Sequence, residues 1–106
     1  ESALQGDFAN ANAYYYLGLL AFIRGRFAEA AQSFMHCLDI RQGYVPAIKG
    51  CAAAFLAMGR LDQTSEKLSQ AEALAGKDTE LKILKRKLRF ARMKNRVAGF
   101  LYKLRF

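Results

Sequence analysis

Residues 14–38, YYYLGLLAFIRGRFAEAAQSFMHCL, decide the fold. Tyr14, Leu17, Ala21 and Phe22 recur at helical spacing and predict the inward face of one helix. Gly25 follows, where a glycine in the left-handed region ends a helix at little cost. Ala30, Phe34, Cys37 and Leu38 then form the apolar stripe of a second, returning helix. Gly18 sits inside the first helix, where glycine costs about 1 kcal/mol against alanine. A small residue there makes sense where a second helix crosses closely.

The same pattern returns 34 residues later. Gly25 falls on Gly59, Arg26 on Arg60, Phe27 on Leu61, Phe34 on Leu68, Cys37 on Ala71 and Gly18 on Ala52. The chain therefore divides into a lead-in at 1–10, a first unit at 11–44, a second at 45–78, and a basic segment at 79–106. Gly43 stops the first unit, and Pro46 opens the next helix, where its missing N–H does no harm.

With Tyr14, Leu17, Gly18, Ala30 and Phe34 in these places, the first unit resembles the tetratricopeptide repeat, and Gly25, Phe27 and Glu29 fit its turn. Ala21 departs where a large aromatic is usual, and Gln42 stands in place of the closing proline. In the second unit Ile48, Ala52, Phe55, Gly59, Leu68 and Ala71 fit, while Cys51 and Thr64 depart. The resemblance covers residues 11–78. It implies an all-α fold of antiparallel helix hairpins, a fragment of an α-solenoid, whose first helices line a concave groove. Carried over position by position, that groove holds Asn12, Tyr15, Tyr16, Leu19, Phe22 and Ile23, then Lys49, Gly50, Ala53, Leu56 and Ala57. Its apolar character fits a helix or extended peptide of a protein partner. The family's carboxylate-clamp members, which grip charged C-terminal tails, need Lys and Asn where Tyr15 and Leu19 stand. Tail binding of that kind is not expected.

Charge singles out the last segment. The chain of 106 residues carries a net +8, with 17 Lys and Arg against 9 Asp and Glu. Residues 1–76 hold six basic and seven acidic side chains, whereas residues 77–106 hold eleven and two. From Lys82 onward there is no acid at all. Two repeats are fewer than usually stand alone, so this segment is expected to cap the second one as a helix of 28 residues. Asp78 or Thr79 would cap its start, with Glu80 favourable in the first turn.

Placed at 100° per residue, this helix has three faces. Leu81, Leu84, Leu88 and Ala91 make the capping stripe. Ile83, Phe90, Met93, Val97, Phe100 and Leu104 make a second, heptad-like seam for another helix, broken at Arg86. Lys82, Lys85, Arg89, Arg92, Arg96 and Lys103 share about 80° of arc and point to an acidic protein partner or an anionic membrane surface. Homodimerisation through the seam is an alternative. Nucleic acid ranks last, because aromatic residues barely interleave with the cations.

Other classes drop out. No run of about 18 apolar residues is present, and no signal pattern opens the chain, which reads as a piece of a longer or processed protein. Cys37 and Cys51 are too few for a disulfide scaffold and fall at packing positions, while His36 lies off the apolar stripe. These three do not make a zinc site. Without a phosphate loop, a nucleophile–base pair or a carboxylate cluster, neither an enzyme nor a cofactor is expected. The expected role is a cytoplasmic interaction scaffold within a larger assembly, at the membrane surface in one version. The alternatives are a chaperone like those of bacterial type III secretion, holding an apolar client, and nucleic-acid binding through the basic helix.

Overall fold

A computed structural model describes the backbone of residues 2–76 and 78–105, and the side chains of 9–76 and 78–104. Five helices follow one another: α1 (Ser2–Ile23), α2 (Phe27–Ile40), α3 (Val45–Ala57), α4 (Leu61–Ala75) and α5 (Thr79–Arg105). The fold is all-α. Each helix packs on the next, and α3 also touches α1 and α5, so the odd-numbered helices share one layer above α2 and α4.

The two hairpin turns are alike in detail. Gly25 and Gly59 both have φ 77°. The Gly25 N–H donates to the Phe22 carbonyl at 3.0 Å and the Arg26 N–H to that of Ala21 at 2.9 Å. Thirty-four residues on, Gly59 donates to Leu56 and Arg60 to Phe55 at the same two distances. This pair of bonds satisfies two carbonyls that the helix end would otherwise leave open. Pro46 occupies the first turn of α3, as its fixed φ favours.

Two apolar clusters share α3. The first gathers Ala11, Ala30, Phe34, Cys37, Ala47, Cys51 and Phe55 between α1, α2 and α3. The second gathers Ile48, Ala52, Leu68, Ala71, Leu81 and Leu88 between α3, α4 and α5. The expected stripe on the last helix is therefore the cap: Leu81 and Leu88 are buried, and Leu84 packs against them. Thr64, which departs from the repeat pattern, is fully buried and donates its Oγ1 hydrogen to the Arg60 carbonyl at 2.9 Å.

Phe34 joins the hairpins. A Cβ added at Gly18 would lie 2.6 Å from Cε1 of this ring, and one at Gly50 would lie 2.7 Å from Cζ. The ring thus reaches α1 and α3 through the two places where a side chain is missing. Close crossing at Gly18 was expected; the second contact falls on Gly50, while Ala52 is buried in the other cluster.

Two features differ from the sequence reading, and the end of a third lies outside the described residues. Helix α1 begins at Ser2, within the span set aside as a lead-in, since no proline breaks residues 2–23. Leu17, assigned to the inward face, is exposed with Leu20. Helix α1 packs only on α2 and α3 among the described elements, which leaves that stripe uncovered. Helix α5 reaches Arg105, and Phe106, the expected last residue, lies outside the described residues.

Candidate functional site

A groove of about 450 Å³ opens on the layer of odd-numbered helices. Tyr15, Leu19 and Phe22 line it from α1, with Pro46, Lys49, Gly50 and Ala53 from α3 and Glu80, Ile83 and Leu84 from α5. The Phe34 ring comes up between α1 and α3 as its floor. Helical spacing places Tyr15, Leu19 and Phe22 on one side of α1, and Lys49, Gly50 and Ala53 likewise on α3.

Of the groove residues read from sequence, Tyr15, Leu19, Phe22, Lys49 and Ala53 come together here. Asn12, Tyr16 and Ile23 do not line it, and Ile23 is 80% exposed. Leu56 packs against the α3–α4–α5 cluster. The contribution of α5 was missed. The seam residue Ile83 and the capping residue Leu84 form the far wall, because α5 lies beside α3 at its start.

Tyr15 is half-buried, with its ring 5.8 Å from Phe34 and 5.6 Å from Tyr44. Burial pushes its phenol above the ordinary value, with the phenol of Tyr44 and the carboxylate of Glu80 adding to the shift. Tyr14 packs on the core instead and meets the exposed His36 ring at 5.2 Å. Cys37 and Cys51 are buried free thiols; burial pushes Cys51 up to about 11, and Cys37 also upward. A thiol held in this way stays protonated and unreactive near neutrality.

Lys49, the cation of the groove, is not free. Its Nζ donates to Oδ2 of Asp78 and lies 3.8 Å from Oε1 of Glu80. Asp78 meanwhile caps α5, its Oδ1 accepting the Glu80 N–H at 2.8 Å. The hydrogen bond from Lys49, aided by the backbone N–H of Glu80, holds the Asp78 carboxyl below the usual carboxylate range. Reciprocally, the hydrogen bond to Asp78 raises Lys49. Lys49, read from the sequence as a groove position, is thus neutralised by the carboxylates at the start of α5.

The basic face of α5 is partly paired as well, by acids that α5 itself does not carry. Lys85 binds Glu72, and Arg92 lies 3.9 Å from Asp62, both acids coming from α4. Lys82, Arg89, Arg96 and Lys103 have no ion pair among the described residues. The seam stays open: Ile83, Phe90, Met93, Val97, Phe100 and Leu104 are all exposed, Phe90 at 62%. From Met93 to Leu104 every residue is exposed, so the last three turns or so of α5 stand clear of the bundle. No helix among the described residues is long and apolar enough to cross a membrane. No family model matches the chain, and no curated protein matches it in sequence.

Proposed function

We propose that this domain is a non-enzymatic protein-interaction module built on two tetratricopeptide-like hairpins, whose groove receives an apolar helix or extended segment of a partner protein. The observation that carries this reading is the composition of the groove once Lys49 is neutralised. Its walls are then Tyr15, Leu19, Phe22, Ala53, Ile83 and Leu84, with no uncommitted positive charge to attract an acidic tail. The repeat reading is supported by the two turns of identical hydrogen bonding 34 residues apart.

Selection of displayed random peptides against the domain tests it. Enriched peptides are expected to be apolar at helical spacing and uncharged at their centre. Ala53→Glu, which puts a charge in the wall without removing a core side chain, is expected to lower their affinity at least about tenfold with the fold intact. Enrichment of acidic C-terminal tails, or peptides that bind Ala53→Glu equally well, would reject the groove as the site.

A further inference from the structure

The projecting part of α5 has the anatomy of a helix that lies flat on lipid. At 100° per residue Phe100, Met93, Leu104, Val97, Phe90 and Leu101 fall in that order within about 100° of arc. All six are exposed. Arg89 and Arg96 border the arc on one side, and Lys87 and Lys94 on the other. None of these four cations has an ion pair among the described residues. The face is thus a strip of phenylalanine and aliphatic side chains edged on both sides by long cationic ones. Such edges let the stems cover apolar surface while the charges reach outward.

Charge and shape select the occupant. A second copy would bring together two helices with no acidic residue from Leu81 to Leu104, so like charges would meet along both edges. A coiled-coil partner needs a narrow seam of alternating three- and four-residue steps. Phe90, Met93, Val97, Phe100 and Leu104 keep those steps for only two heptads, with Arg86 ending the series before them, and Leu101 widens the face beyond it. A surface that is negative, flat and apolar beneath meets both the width of the strip and its cationic edges. We propose that the exposed half of α5 binds the surface of an anionic phospholipid bilayer, inserting Phe90, Val97, Phe100 and Leu104 while Arg89, Lys94 and Arg96 meet the headgroups. The inference is independent of what occupies the groove.

Flotation of the whole chain with vesicles tests it. Partition into phosphatidylcholine with about 30% phosphatidylserine is expected to exceed that into phosphatidylcholine alone by at least about tenfold, and to fall as salt rises from ~0.1 to ~0.5 M. Each basic residue near an anionic leaflet strengthens adhesion about fivefold, so Arg89→Glu with Arg96→Glu should weaken it by more than about twenty-fold. Phe90→Ser with Phe100→Ser should weaken it comparably with the charge unchanged. The chain lacks tryptophan, so Leu101→Trp supplies a single reporter whose emission should shift to the blue with anionic vesicles only. All these positions are exposed, and the circular dichroism and melting of each variant should match the parent. Equal partition into neutral vesicles would overturn the proposal. So would full binding by the serine variant, or a dimer in sedimentation equilibrium that the serine variant abolishes. Binding to an acidic helical peptide with none to anionic vesicles would assign the strip to a protein and overturn it too.

Discussion

A methyl group added at Gly18 sets alanine's helix-propensity gain, about 1 kcal/mol, against a Cβ that lands 2.6 Å from the Phe34 ring. The ring already fills the space that a Gly50 side chain would take, 2.7 Å from that Cβ position to its Cζ, so the α3 backbone limits its retreat. Overpacking of this kind costs about 1–3 kcal/mol. Gly18→Ala is therefore expected to lower the unfolding free energy measured in urea by a net of up to about 2 kcal/mol. Gly99 is the control, with nothing within 4 Å of its Cβ position. Gly99→Ala should stabilise the local helix by about 0.5–1 kcal/mol, seen as a gain of helicity in circular dichroism, and leave the global midpoint alone. If both substitutions act alike, the ring is not the constraint. The cost of glycine inside a helix made Gly18 legible in the sequence. Gly50 was read only as a groove position, because a repeat offset says which residues are equivalent, not which ones touch across hairpins.

Helix α5 is held by its front half. Leu81 and Leu88 are buried, and Asp78 ties its first turn to Lys49 on α3. Leu88→Ala is expected to cost about 2–5 kcal/mol in chemical denaturation. Ending the chain after Arg92 removes only exposed side chains among the described residues, and should change the unfolding free energy by less than about 1 kcal/mol. A large loss on truncation would mean that the tip does pack. The Lys49–Asp78 pair also sets a pH window. Asp78 sits below its ordinary pKa, so its contribution is complete above about pH 5 and fades as pH falls through the lowered value. Lys49 sits above its ordinary pKa, so its contribution is complete below about pH 10 and fades as pH rises past the raised value. Asp78→Asn keeps an oxygen for the cap but loses the charge. Its stability should fall less steeply than the parent's between pH 6 and 3 on thermal melts taken about half a unit apart. Parallel curves would show that Lys49 adds nothing. The sequence marked Asp78 as a cap, but its second partner lies 29 residues away in the chain and no local pattern points to it.

Across the molecule, which extends 63 × 28 × 18 Å, periodicity made five elements legible and long-range pairing did not. The glycine turns, the stripe of Leu81, Leu84 and Leu88, and the buried thiols could all be read because each depends on residues a few positions apart. The far wall of the groove and the α4 acids that meet Lys85 and Arg92 depend on how α5 lies on its neighbours, which spacing within α5 does not encode. One consequence follows from the placement of Phe34, whose ring both fills the first core and floors the groove. If the groove binds as proposed, folding and recognition select on the same atoms, and any change of bulk there is paid in stability before it can alter what is bound. Divergence toward a new partner is closed through the floor. It stays open through Leu19, Ala53 and Ile83, wall positions that are not fully buried, so that specificity can drift while the spacing of the two hairpins is conserved.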